Sequence, residues 1–166
     1  MQVAIDGITY VSHDDPAWRG GQHRLAMVNL ARFDLEGMLE QLWLREVGGG
    51  EGYEICCIPF YTYGLALGDV VSVDETGNIS HLVRKTGRLA LRVLFDALRS
   101  SLDGRDSLRG AVASAGLLSE WNGDHHVAID MPNASVAQSL LDSIHEEIRL
   151  ETAFWEWSIS QEFRHS

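Results

Sequence analysis

Hydrophobic and polar residues alternate along most of the first half of the chain, as they do in β-strands that bury one face. The clearest run is residues 39–47 (LEQLWLREV), in which Glu40 shares one face of the predicted strand with Leu42 and Leu44. Comparable runs predict strands within residues 3–11, 24–34, 53–73 and 79–85. Residues 1–86 are therefore predicted to form a small antiparallel sheet or partial barrel.

Residues 53–73 (YEICCIPFYTYGLALGDVVSV) are predicted to run as a strand, a sharp turn and a second strand. Pro59 has no N–H to donate to a neighbouring strand, so the first strand ends there. Gly64 and Gly68 allow the positive φ angles that a sharp turn requires. The loop between them and the first strand carries three aromatic side chains, Phe60, Tyr61 and Tyr63.

The second half of the chain mixes strands with helices. It is predicted to contain strands at 88–95, 117–121, 125–131 and 153–159, a helix from Asp106 to Ala115, and a helix from Asn133 or Ser135 to Ile148. This β-α-β-β-α-β order is typical of the split βαβ arrangement of ferredoxin-like folds. The chain is therefore predicted to be α+β, with residues 87–166 forming a ferredoxin-like half that packs against the first half as one globular unit.

The net charge of −11 restricts the kinds of partner that the chain is expected to bind. Phosphate contacts need a surplus of Lys and Arg, so the charge argues against nucleic acid and against an anionic membrane surface. The same charge favours the approach of a basic protein.

The adjacent cysteines Cys56 and Cys57 point to opposite faces of a strand, so a disulfide between them is not expected. One of them is predicted to lie in the core and the other to be partly exposed. The N-terminal residues lack a basic segment followed by an apolar run, and no apolar stretch is long enough to span a membrane. These features predict a cytoplasmic protein.

Several segments resemble the bacterial family called domain of unknown function 4265. The resemblance rests on a Glu-x-Leu-Trp strand, an Ile-Pro-Phe turn, a Gly-x-x-Leu-Gly-Asp-Val strand and a Thr-Gly-x-x-x-x-Arg-Val strand, at residues 40–43, 58–60, 64–70 and 86–93. It extends over about residues 24–159. It implies an architecture and a bacterial origin, and it carries no catalytic residue, cofactor or metal to this sequence.

No catalytic motif of high specificity occurs in the sequence, and no cofactor or metal site is predicted. A cysteine paired with a histidine can form a reactive thiolate, but Cys57 lies in an apolar strand, where thiols are usually packing groups. His125 and His126 are neighbours on a predicted strand and diverge, so they do not make a metal site by themselves.

The leading hypothesis is a non-catalytic acidic binding protein, an immunity protein that neutralises a cognate toxin by covering its active site. Its basic partner is predicted to contact the side chains of Asp124, His125, Glu146, Glu147, Glu151, Tyr61 and Tyr63. The alternative is a small-molecule sensor or regulatory domain that uses a cleft between the two halves, beside Tyr61 and Tyr63. An enzyme with a cysteine or histidine centre is the third possibility.

Overall fold

A seven-stranded sheet occupies the first half of the chain in the computed structural model, which describes residues 1–20 and 23–163. Its strands are β1 (Gln2–Ile5), β2 (Ile8–Val11), β3 (His23–Asn29), β4 (Met38–Val47), β5 (Gly52–Ile55), β6 (Val70–Val73) and β7 (Ile79–Arg84). The long strand β4 is the centre of the sheet, because it pairs with β2, β3 and β5. Glu40, Leu42 and Leu44 are all fully buried on one face of β4, as its alternation predicts.

Two details of this sheet differ from the prediction. The pairing of β2 with β4 is parallel, whereas an antiparallel sheet was expected. Residues 3–11 form two strands instead of one, because Asp6 and Gly7 both adopt positive φ and turn the chain into a hairpin.

A four-stranded sheet and three helices make up the second half. The elements are β8 (Leu89–Phe95), α1 (Leu102–Ser114), β9 (Ser119–Asn122), β10 (His126–Met131), α2 (Ala137–Asp142), α3 (His145–Arg149) and β11 (Ala153–Trp157). The strand order is β11-β8-β10-β9, and each neighbouring pair is antiparallel. The protein is thus α+β, with two mostly antiparallel sheets.

The first helix begins earlier than the sequence pattern predicts. Ser101 caps α1, since its side chain accepts a hydrogen bond from the Gly104 N–H, so the predicted start at Asp106 is wrong. Gly104 lies inside the first turn of the helix, and the side chain of Glu147 packs directly against its Cα.

The long helix predicted to end at Ile148 is interrupted. A short 3₁₀ turn at Ala134–Val136 leads into α2, and α3 follows after a break at residues 143–144. The predicted apolar stripe nevertheless faces the core of the second sheet; it consists of Val136, Leu140, Leu141, Ile144 and Ile148.

The two sheets meet through a small buried cluster of their own. From the first half it contains Val11, Ile58, Phe60 and Leu67, and from the second half Ala90 and Ala128. These last two alanines lie on the face of β8 and β10 that points away from the helices. The loop of residues 56–63 is therefore packed between the two sheets.

Candidate functional site

The carboxylate of Glu40 holds the loop between the sheets in place. Its Oε1 accepts a hydrogen bond from the Phe60 N–H at 2.5 Å. Its Oε2 accepts bonds from the N–H of Tyr61 at 3.1 Å and from both the N–H and the hydroxyl of Thr62 at 2.7 Å. One buried side chain therefore fixes the backbone of three consecutive residues.

His13 lies between two buried carboxylates, one from each half of the chain. Its Nε2 is 3.2 Å from Glu40 Oε1, and its Nδ1 is 2.5 Å from Glu120 Oε2. Glu120 also accepts hydrogen bonds at 2.8 Å from the N–H groups of Ala17 and Ile58. The group formed by His13, Glu40 and Glu120, called here the buried triad, thus joins the N-terminal segment, the first sheet and the second sheet.

The contact between Glu40 and His13 shifts the pKa values of these two side chains in opposite directions. Burial alone would raise the pKa of Glu40, but hydrogen bonding and attraction to His13 lower it to about 2. Burial would lower the pKa of His13, but interactions with Cys57 and hydrogen bonds to the two carboxylates raise it well above its ordinary value. The raised pKa of His13 and the lowered pKa of Glu40 favour an ion pair between these two side chains, an arrangement that satisfies buried charge.

Both cysteines are fully buried, so the expectation that one is partly exposed is wrong. The backbone N–H of Trp43 donates to Cys57 Sγ at 3.3 Å, and burial raises the pKa of the Cys57 thiol. Burial also raises the pKa of Cys56, to about 11. Neither sulfur has the exposure and low pKa that a nucleophilic cysteine needs.

A cavity of about 290 Å³ lies where the first sheet leaves the open face of the second sheet uncovered. Its floor is formed by Phe60, Tyr61 and His126. Two exposed apolar side chains on the open face of the sheet line it and are called here the apolar rim: Leu94 and Phe154, which pair across β8 and β11 and are 44% and 52% exposed.

Arg92 and Glu156 form one wall of the cavity. The Arg92 guanidinium donates to the carbonyl oxygens of Pro59, at 3.2 Å, and Thr62, and it lies 3.3 Å from Glu156. The Tyr63 hydroxyl donates to the Glu156 carboxylate at 2.8 Å. Burial and the neighbouring Glu156 raise the pKa of Tyr63 to about 12, so its hydroxyl remains protonated.

His126 is 5% exposed and lies 5.6 Å from the ring of Phe60 and 4.9 Å from that of Tyr61. Burial and the positive charge of Arg92 lower the pKa of His126 to about 4, so the ring is neutral at physiological pH. Its Nδ1 is buried and has no hydrogen-bond partner among residues 1–20 and 23–163.

Some of the predicted contact residues line the cavity, whereas others lie elsewhere on the second half of the chain. Tyr61 and Tyr63 line the cavity, at the junction of the two halves. In the turn before β10 Asp124 is exposed and His125 is half-buried, and the Asp124 carboxylate lies 3.7 Å from Arg105.

The three predicted glutamates lie on or beside α3. Glu146 is exposed and forms a salt bridge of 2.6 Å with Arg149, and Glu151 is exposed at a positive φ of 54°. Glu147 is buried, and its carboxylate accepts hydrogen bonds from Ser101 and Thr152. Its side chain therefore stabilises the start of α1 and is not presented at the surface.

The sequence prediction did not include the remaining cavity residues. Arg92 carried the clearest signal, because the alternation of residues 88–95 places its charge on the same strand face as Ala90 and Leu94. His126 and Phe154 gave no comparable signal, since their importance arises from the packing of one sheet on the other.

Within the described residues, no group of three His, Cys, Asp or Glu side chains is arranged to hold a metal ion. None of the helices in the same residues combines the length and apolar character needed to cross a bilayer.

The sequence matches one family model and one solved structure among those compared. The family is described as "Domain of unknown function (DUF4265)", and the match covers residues 40–157. The structure is described as "Novel crystal structure of a hypothetical protein from Neisseria gonorrhoeae". It is 17% identical, covers 85% of this chain and 97% of its own, and has a TM-score of 0.60, which indicates a shared fold. No curated protein matches the sequence.

Proposed function

The chain belongs to the DUF4265 family, and from that premise we propose that it is a non-catalytic binding protein that neutralises a basic toxin domain. The binding surface in this proposal is the apolar rim together with the cavity that it lines. The observation that carries the proposal is the exposure of Leu94 and Phe154 beside one concave site.

Exposed apolar side chains that cluster around a pocket are typical of protein-binding surfaces. Binding energy in such surfaces is concentrated in a few large side chains that fill pockets near the centre of the interface. Phe154 lies on β11, which is one of the two edge strands of its sheet, so within the described residues no further strand separates it from a partner. This placement supports a macromolecular partner, because a small ligand does not need an apolar surface outside its pocket.

The charge of the chain supports a basic partner. A net charge of −11 steers a cationic protein towards the surface and speeds the encounter. Toxin domains that act on nucleic acids or nucleotides need a cationic cleft, so an acidic protein that covers such a cleft would inhibit them. We place this activity in the cytoplasm.

The strand order of the second half supports a more detailed description of its fold. We infer that it is a ferredoxin-like unit, since the order β11-β8-β10-β9 has the antiparallel pairing of a split βαβ arrangement. The division into halves of residues 1–86 and 87–166 follows the two sheets. In this interpretation the first sheet covers part of the open face and leaves the rest for the partner.

Growth rescue tests the proposal. Each toxic domain encoded beside the gene is expressed in a bacterial host with and without this protein, and we expect one domain to be neutralised. Replacing Leu94 and Phe154 together by Ala should weaken the purified complex by about 100-fold or more, because both are large contact side chains.

A matched control is Leu98→Ala, because Leu98 is 96% exposed and does not line the cavity. This variant should rescue growth as well as the unchanged protein does. Unfolding temperatures of all variants are compared, so that loss of binding is separated from loss of folding. Failure to neutralise any neighbouring domain, or full rescue by the double variant, would contradict the proposal.

A small-molecule sensor is the second candidate, and the enclosed floor of the cavity favours it. Ligand pockets are mostly apolar with a few polar groups, and their volumes start at about 300 Å³. In this case a metabolite would raise the unfolding temperature of the protein. Replacing Tyr61 by Ala would abolish that rise, while the Leu98→Ala control would retain it.

A further inference from the structure

The cavity has one polar group that the fold leaves unused. His126 lines the cavity and its ring forms no hydrogen bond within the described part of the chain, although buried polar groups normally form them; Nδ1 is closed off from solvent, so a ligand in the cavity reaches the imidazole at Nε2. The other polar groups of the cavity are engaged. Arg92 donates to two carbonyl oxygens, the Tyr63 hydroxyl donates to Glu156, and the Tyr61 hydroxyl accepts a bond from Gln2 at 2.8 Å.

The size of the cavity fits one aromatic ring. An apolar protein cavity of about 150 Å³ holds benzene, so 290 Å³ accommodates a substituted ring. Phe60 and Tyr61 provide aromatic surfaces beside His126, which favours a ring that packs against them.

The charges around the cavity favour a neutral group. Glu156 repels an anion, and Arg92, which lies beside it, repels a cation. A neutral imidazole presents one hydrogen-bond donor and one acceptor, and a hydroxyl group can pair with either of them. An aromatic ring with one hydroxyl therefore meets the size, polarity and charge of the cavity.

We propose that the cavity receives the phenol ring of a tyrosine side chain from the protein partner, with its hydroxyl bonded to His126. This inference rests on the proposed function, because the partner supplies the tyrosine. It assigns His126 as the group that selects a hydroxyl-bearing ring over an apolar ring of the same size.

The experiment uses p-cresol as the tyrosine side-chain analogue and toluene as the analogue without the hydroxyl. NMR titrations of the purified protein give dissociation constants from the amide shifts of residues around the cavity, including Tyr61 and Phe154. We expect p-cresol to bind in the cavity about tenfold more tightly than toluene, as one added neutral hydrogen bond predicts.

Variants assign that preference to the imidazole. His126→Phe should bind the two ligands about equally, and His126→Asn, whose amide keeps a donor and an acceptor, should retain most of the preference. The control His81→Phe makes the same change on β7, in the first sheet, and should leave the tenfold ratio intact.

Equal binding of the two ligands by the unchanged protein would overturn the inference, as would shifts that map outside the cavity or a preference that persists in His126→Phe. The titration of the unchanged protein decides this even where a variant does not fold. None of these outcomes affects the proposed docking, which is judged by growth rescue with the Leu94 and Phe154 variant.

Discussion

Glu40 illustrates how far residue-level reasoning reaches in this protein. The alternation of residues 39–47 predicts that its side chain shares a face with Leu42 and Leu44, and the structure confirms this. The partner that makes such a burial acceptable was not predictable, because His13 lies 27 residues away in an irregular loop. Neither was Glu120, which lies 107 residues from His13. Such pairs are brought together by folding and leave no local pattern.

Replacing Glu40 by Gln should lower the free energy of unfolding by about 3–5 kcal/mol, since it removes one partner of a buried charge pair. The amide also cannot accept all the hydrogen bonds from the 60–62 backbone. Chemical denaturation measures the change. Glu46→Gln on the exposed part of the same strand should change stability by less than about 0.5 kcal/mol, and a similar loss in both variants would contradict this account.

His13 makes stability depend on pH on the alkaline side of neutrality. Its pKa is raised in the folded state, so the folded protein binds more protons than the unfolded chain above about pH 6.5. The stabilisation by His13 is complete below that pH and is lost as the pH rises through the raised folded-state pKa. The free energy of unfolding of the unchanged protein and of His13→Gln is measured by denaturation from pH 6 to 10. We expect the difference between the two free energies to become smaller as the pH rises. A difference that stays constant would argue against a protonated His13.

At the scale of elements, the order of strands and helices in the second half was predictable, while several boundaries were not. The alternation of residues 88–95 is strong, and β8 forms there. The start of α1 was misplaced because Ser101 and Asp106 are both suitable capping residues in sequence, and the contact of Glu147 with the first turn favours Ser101. The hairpin at residues 6–7 was missed although Asp-Gly is a common turn pair.

The two glycines of α1 provide a test of this packing. A Cβ at Gly104 would lie 2.6 Å from the Cγ of Glu147, so Gly104→Ala should destabilise the protein by about 1–3 kcal/mol. A Cβ at Gly110 meets no atom within 4 Å, so Gly110→Ala should stabilise it by up to about 1 kcal/mol through helix propensity. Thermal unfolding of both variants measures the effects, and a stabilising Gly104→Ala would show that Glu147 moves aside easily.

At the scale of the whole molecule, the C-terminal segment returns from the second sheet to the first. After β11, the Ser158 carbonyl accepts a hydrogen bond from the Gly64 N–H at 2.8 Å, and Phe163 packs into the core of the first sheet. A cleft between the halves beside Tyr61 and Tyr63 was predicted, and both residues line the cavity. The return of the C-terminal segment was not visible in local patterns, because it depends on how one sheet lies on the other.

We expect that no side chain is tolerated at Gly64, because the C-terminal segment packs against its Cα. Its φ is +73°, and an added Cβ would overlap the backbone of Glu162 and Phe163. We expect Gly64→Ala to cost about 3 kcal/mol or more. Gly77 has a similar φ of +87°, but a Cβ added there meets no atom within 4 Å. Gly77→Ala should therefore cost only the conformational strain of about 1–2 kcal/mol. Denaturation curves give both values, and equal losses would mean that the C-terminal segment does not press on Gly64.

The buried triad also bears on how this family can be handled in the laboratory. The family match begins at residue 40 and includes Glu40 and Glu120 but not His13. A chain trimmed to the matched segment would bury two carboxylates with no imidazolium between them, and one of them would have to take up a proton or draw in water. Versions made for crystallisation or display therefore need to start upstream of residue 13.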